Sequence, residues 1–340
     1  MTESMRAFVV TGPGEGSVVE VPSPTAAPNE VVVDVERVGL CGTDVELFRG
    51  DMAYVQQGLA TYPMRLGHEW CGRVSAIGDG VAQDWLGQRV MGDPMIGDQS
   101  CRRCTRGSQH VCDARDEVGV RDGRAGALAE RVSMPVRALH RLPASVGPAM
   151  GALVEPGGNA LRAARATEAG HGDRVLVMGP GTIGLLVAMF LQSQRAEVHL
   201  LGVDERSLGF AASIGLQNVW TRAALPEIPF DAVVDASNDA RLPGLALELV
   251  EPGGRVVYIG LAGEPSLLDT RSLALKDVTA VGVLSASPAL ADTIKAFSAG
   301  LIDPTPLVSD VVRLEGVSGV LLGEYRSPGQ GPKIQVDPRA

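Results

Sequence analysis

Residues 174–186, "RVLVMGPGTIGLL", constrain the fold more than any other stretch. A β-branched apolar run ends at Gly179, and Gly179, Gly181 and Gly184 form G-x-G-x-x-G before a second apolar run. The first glycine allows a tight turn and the second lets backbone approach a pyrophosphate. The third lets helix and strand pack closely, and the helix start, with Thr182 and Ile183, presents N–H groups to an anion. Four more apolar runs follow: "EVHLLG", "FDAVVDAS", "RVVYIG" and "VTAVGVL". Strands apolar on both faces, separated by helical stretches, predict a parallel sheet covered on both sides. The fold class is therefore α/β, with a doubly wound dinucleotide-binding unit in its second half.

The second strand of such a unit carries the adenosine ribose. Asp204 lies 20 residues beyond Gly184, near the interval expected of a ribose-binding acid. Gly202 at the strand end leaves room for a 2′-phosphate, which Asp204 and Glu205 would repel and Arg206 would attract. NAD and NADP both remain open, with the acids leaning towards NAD.

The first 150 or so residues follow another pattern. "RAFVV", "EVVVDVERVG", "GRVSAIG" and "QRVMGDP" are short β-branched runs closed by Gly, Pro or Asp. The tail "GPKIQVDP" is an isolated strand able to rejoin this part. The expected division is 1–152 for a β-rich domain, completed by 290–340, and 153–289 for the dinucleotide-binding domain. At 340 residues, two domains are the natural expectation.

A net charge of −10 argues against nucleic acid or an anionic membrane as partner. No long apolar run and no leader pattern is present, which leads to the expectation of a soluble, cytoplasmic protein. Five cysteines cannot all pair within one chain, and three crowd together in "GDQSCRRCTRGSQHVC". Cys101, Cys104 and Cys112 follow C-x2-C-x7-C, with Asp98 where the same interval calls for a fourth thiolate. A mixed Asp/Cys zinc site is chemically reasonable; the alternative is a metal-free loop with three thiols. A second set of zinc-type donors is Cys41 and His68, with Glu69 and Glu155. Taken singly, Cys41 suits a small buried hydrophobe and His68 a structural histidine.

In this order, "CGTD", "GHEWCGRVSAIG", the cysteine-rich loop, "EPGGNA", "GPGTIG" and "PGGRVVYIG" resemble the zinc-containing medium-chain alcohol and polyol dehydrogenases over nearly the whole chain. The resemblance implies a GroES-like catalytic domain, a Rossmann domain and an active site in the cleft between them. Cys41 and His68 match catalytic zinc ligands, with Glu69 or Glu155 completing the set. Thr43 matches the hydroxyl that bonds the reacting alcohol. Glu46 stands where several members carry a proton-relaying histidine. A glutamate at 155 is similar to the sorbitol, threonine and glucose dehydrogenase branches, and a glutamate at 46 is similar to glucose dehydrogenases of the family. The cysteine-rich lobe implies a second, structural zinc. The implied activity is hydride transfer between NAD or NADP and a secondary alcohol or ketone of a sugar, polyol, cyclitol or amino derivative, in a homodimer or homotetramer. A simple alcohol dehydrogenase or aldehyde reductase, and a nucleotide-binding protein without activity, are the competing readings.

Overall fold

The computed structural model describes residues 3–121 and 123–340. A hairpin of β1 (Ser4–Gly12) and β2 (Glu15–Pro22) leads into β3 (Glu30–Gly39). Helix α1 (Gly42–Arg49) and the single turn α2 (Ala53–Gln56) precede β4 (Glu69–Ile77) and β5 (Arg89–Gly92). A small ribbon of β6 (Met95–Ile96) and β7 (Asp116–Glu117) frames the cysteine-rich loop. After it come β8 (Arg131–Pro135) and β9 (Leu139–Arg141). Short helix α3 (Pro148–Gly151) then leads to α4 (Val154–Ala166).

The parallel unit starts at β10 (Arg174–Met178), followed by α5 (Thr182–Ser193), β11 (Glu197–Leu201), α6 (Glu205–Ser213) and β12 (Asn218–Trp220). Its other half holds β13 (Phe230–Asp235), β14 (Val250–Tyr258) and β15 (Thr279–Gly282). These form a six-stranded parallel sheet in the order β12-β11-β10-β13-β14-β15. The five expected strands are all present. β12 escaped notice because "NVW" is too short to show a period. Val175, Leu176, Val177 and Met178 of β10 are wholly buried, the reason this strand carries no polar residue inside it. Each such side chain contributes about 1.5–3 kcal/mol relative to exposure.

Strands β16 (Val308–Arg313) and β17 (Lys333–Asp337) return to the β-rich sheet, whose order is β16-β17-β3-β4-β5-β9, with β8 on β3. β17 pairs antiparallel with β3, setting Val336 against Val38. Among the described residues, no helix is long and apolar enough to cross a membrane.

Candidate metal and dinucleotide sites

Three elements far apart in sequence deliver one polar cluster. Cys41 is the N-cap of α1, His68 directly precedes β4, and Glu155 sits in the first turn of α4. Cys41 Sγ lies 3.2 Å from His68 Nε2. The donor atoms of His68, Glu69 and Glu155 lie within 4.8 Å of one another, as do those of Cys41, Asp44 and His68. The two groups share His68, and together they offer a thiol, an imidazole nitrogen and carboxylates, donor types that suit Zn²⁺.

The two glutamates are held differently. Glu69 Oε2 accepts from Lys333 Nζ at 2.6 Å, and both side chains are buried. A Cβ at position 39 would fall 2.2 Å from that oxygen, so Gly39 makes room for the carboxylate. Glu155 Oε1 takes only an amide hydrogen bond, from Asn159 at 2.8 Å. Burial pushes the Glu155 carboxyl up to about 7, with His68 opposing the shift. Burial also pushes the Cys41 thiol up. Burial works against the His68 imidazolium, yet Cys41 and Asp44 outweigh it and raise its pKa well above the usual histidine value.

Asp44 and Lys333 belong to this cluster and were not expected from the sequence. Asp44 is fully buried, and its Oδ2 accepts from Cys41 N at 3.0 Å in a reciprocal cap. Its Oδ1 faces His68 Nδ1 at 3.6 Å, and neither atom has a hydrogen-bond partner. With Nδ1 turned to a carboxylate, Nε2 is left free towards Cys41, the arrangement by which an outer carboxylate fixes a ligating imidazole. The signal for Asp44 was its place three residues after the N-cap. Lys333 had no local signal, since its partner lies 264 positions away. Thr43 and Glu46 lie three residues apart on α1 and share a face. Burial, then Asp51, raises the Glu46 pKa.

The second cluster is local. Asp98, Cys101, Cys104 and Cys112 place four donor atoms within 4.8 Å of one another. Cys101 Sγ and Cys112 Sγ are 3.7 Å apart, far beyond a disulfide and close to the edge of a tetrahedron with Zn–S bonds of about 2.3 Å. Asp98 Oδ1 accepts from Ser100 N and Cys101 N, each at 2.9 Å, which holds its carboxyl well below the usual range. A Cβ at Gly97 would strike Cys104 Sγ at 2.4 Å, so the loop closes only around a glycine. Cys71 belongs to neither group; it is buried, and burial pushes its thiol up to about 12.

On the parallel sheet, Gly179 has φ +105°, and a Cβ there would meet Ala236 O at 2.8 Å. A Cβ on Gly184 would meet Gly179 O at 1.9 Å, the close helix–strand packing expected. At Gly181 nothing lies within 4 Å of the Cβ position. The protein itself therefore does not demand that glycine, and the space lies over the turn at the start of α5. Asp204 caps α6 through Ser207 N at 2.8 Å and also accepts from Ser207 Oγ. Arg206 Nη2 donates to Gly329 O at 3.2 Å. Gly202 needs no phosphate to explain it: a Cβ there would meet Leu208 and Pro180, each at 2.9 Å.

Residues 27–144 match the alcohol dehydrogenase GroES-like domain. The chain is 32% identical over 294 residues to an L-threonine 3-dehydrogenase of Cutibacterium acnes, covering 82% of this chain and 83% of that protein. It is 30% identical over 276 residues to the L-threonine 3-dehydrogenase of Idiomarina loihiensis, covering 78% and 79%. Among solved structures, an alcohol dehydrogenase of Escherichia coli CFT073 in complex with NADH superposes with a TM-score of 0.90 at 25% identity, over 98% of this chain and 99% of that one. A zinc-binding dehydrogenase of Sinorhizobium meliloti bound to NADP gives 0.89 at 25% identity, over 99% and 100%.

Proposed function

Since this chain belongs to the zinc-containing medium-chain alcohol and polyol dehydrogenases and is an NAD(P)-dependent oxidoreductase, we propose that Cys41, His68 and Glu155 hold its catalytic zinc. The carrying observation is that Cys41 and Glu155 each have a donor atom within 4.8 Å of His68, and that among the described residues Glu155 has no ion pair while Glu69 is committed to Lys333. In this reading Glu69 is an outer carboxylate. Asp98, Cys101, Cys104 and Cys112 hold a second, structural zinc. The β-rich part, 1–152 with 290–340, supplies the metal donors except Glu155, which α4 brings from the start of 153–289, the part that carries the dinucleotide.

When bound, the metal makes an alcohol more acidic and the nicotinamide takes up its hydride. The chain's own residues do the rest. Asp44 keeps the His68 ring in one tautomer, and Lys333 neutralises Glu69 in the interior. The Thr43 hydroxyl takes the substrate proton as it gives up its own, and Glu46, one turn further along α1, accepts that proton and passes it outward. Gly179, Gly181, Thr182, Ile183 and Gly184 form the pyrophosphate turn. NAD is the favoured cofactor, because Asp204 is ionised at the adenosine end and the glycine at 202 is accounted for by packing. The substrate class is a polar secondary alcohol, a polyol, sugar or amino derivative, and the threonine dehydrogenase relatives put β-hydroxy amino acids first in a screen. A dimer or tetramer is the expected assembly, measurable by light scattering.

The test is metal content and turnover together. The parent protein should bind zinc and reduce NAD with a polar alcohol. Cys41→Ser should abolish turnover and leave NADH binding within about twofold, since the dinucleotide turn is elsewhere. Full turnover in metal-stripped protein would remove the assignment.

A further inference from the structure

Asp93 lies between the two candidate sites and belongs to neither. It follows β5, and continuing the β4–β5 register, in which Cys71 faces Met91, sets it level with Glu69. Asp93 is buried, at 4% exposure, and its carboxylate joins two distant pieces of chain to its own turn. Oδ1 accepts from Met95 N at 3.0 Å and from Ser287 Oγ at 2.8 Å. Oδ2 accepts from Gln109 Nε2 at 3.2 Å, inside the cysteine-rich loop.

Ser287 belongs to the segment leaving the C-terminal end of β15. In a parallel sheet ligands bind outside the carboxyl ends of the strands. The adenosine end is expected at β11, on one side of β10. The nicotinamide end therefore extends towards β13, β14 and β15, and Asp93 meets the sheet there. An ionised carboxylate only accepts, so Ser287 Oγ donates to Asp93 and accepts from Ser285 Oγ at 2.9 Å. Ser285 is held at φ +72°, a strained conformation for a non-glycine residue. Arg162 Nη1 on α4 donates to Ser285 O at 2.5 Å and also to Leu284 O. A Cβ at Gly158 of α4 would meet that of Ala286 at 2.7 Å, so the segment is seated on the helix that carries Glu155.

We infer that Asp93 is a positioning residue: it latches the 283–287 segment of the dinucleotide sheet and the cysteine-rich loop onto the catalytic sheet, fixing where the nicotinamide end lies relative to the Cys41–His68–Glu155 cluster. The inference rests on the proposed reading of those two sites. It gives the buried carboxylate a task that neither metal binding nor proton transfer assigns to it. Loss of a hydrogen bond to a buried charged group is large enough to release such a segment.

The test uses the full-length protein and Asp93→Ala, Asp93→Asn, Ser287→Ala and the double alanine variant. Hydrogen–deuterium exchange over residues 283–289 and NADH affinity by fluorescence are both measured. Asp93→Ala and Ser287→Ala should each speed exchange in that segment and weaken NADH binding about tenfold, with zinc content unchanged. Asparagine keeps the acceptor for Ser287 and Met95 and should stay within about threefold of the parent. The double variant should be no worse than Asp93→Ala, because both remove one interaction. Parental exchange and affinity in Ser287→Ala would overturn the latch even if Asp93→Ala failed to fold. Faster exchange with unchanged NADH affinity would overturn it as well, as would failure of asparagine to rescue. A parent protein that binds neither zinc nor NADH would instead sink the underlying reading of the sites, while the exchange rates still decide the latch.

Discussion

The two candidate metal clusters are built by opposite strategies. The cysteine-rich loop draws four donors from fifteen consecutive residues, Asp98 to Cys112, and braces them with nearby backbone N–H groups. The buried cluster draws its donors from positions 41, 68 and 155, with Asp44 and Asn159 against them and Lys333 holding the neighbouring Glu69. In the first, turns bring the thiols together, and a bound metal would be the main thing keeping three of them there. In the second, the surrounding fold holds the donors whether or not metal is present. A local site should therefore lose its structure with its metal, and a tertiary site should keep it.

The comparison is broken most sharply at Lys333. Removing one partner of a buried ion pair leaves the other charge unpaired, a loss of about 3–5 kcal/mol. Lys333→Met should destabilise the protein by that amount in denaturant unfolding, with or without zinc. A change below about 1 kcal/mol would mean that Glu69 finds another partner and that the cluster is less rigid than its geometry implies.

Asp98 comes next. Structural zinc binding is worth about 10–16 kcal/mol shared among four ligands, so losing one should weaken the lobe's zinc on the order of a hundredfold. Asp98→Ala should reduce zinc from two per chain to one after dialysis, and Asp98→Cys should keep two. The buried centre should not respond to either change. One zinc per chain in the parent would show that the three thiols form a metal-free loop.

Asp44→Asn tests the brace on His68 and should lower zinc affinity at the buried centre by about 10–100-fold, read by chelator competition. The lobe's affinity should not move. An unchanged buried centre would assign the His68 orientation to packing alone.

The smallest effect is a pH dependence. A ligating carboxylate must be ionised, and burial has pushed Glu155 up to about 7. Above that pH the carboxylate is free for metal; below it a proton competes, and its share of zinc affinity falls by up to about tenfold per pH unit. Asp98 is held the other way, below the usual carboxylate range, so it stays ionised over the same interval. Between pH 7 and 6, Glu155→Gln should remove part of the pH dependence at the buried centre. The same slope in parent and variant would exclude Glu155 as the ligand that titrates there.

What was legible in the sequence follows the same division. Spacing sufficed for the cysteine-rich loop and the glycine turn, because each is closed by neighbours within a few residues. Gly184 answers to Gly179 O, five residues away, while Gly179 answers also to Ala236 O, just beyond the neighbouring strand β13. Cys41, His68 and Glu155 were legible only as donor types in a familiar order, and whether Glu69 or Glu155 faced a metal stayed open. Gly202 was ambiguous because a glycine looks the same whether it vacates space for a phosphate or for Leu208 and Pro180.

The sequence by itself determined the parallel sheet, the turn and the donor inventory, since strand hydrophobicity, glycine conformation and ligand chemistry are properties of single residues and short windows. Only the tertiary structure decided which donor is committed elsewhere. Lys333 reaches Glu69 from the far end of the chain, and Asp93 gathers Ser287 and Gln109. Such pairings are fixed by the shared burial of groups distant in sequence, where leaving a polar atom unpartnered costs more than the chain entropy of bringing its partner in.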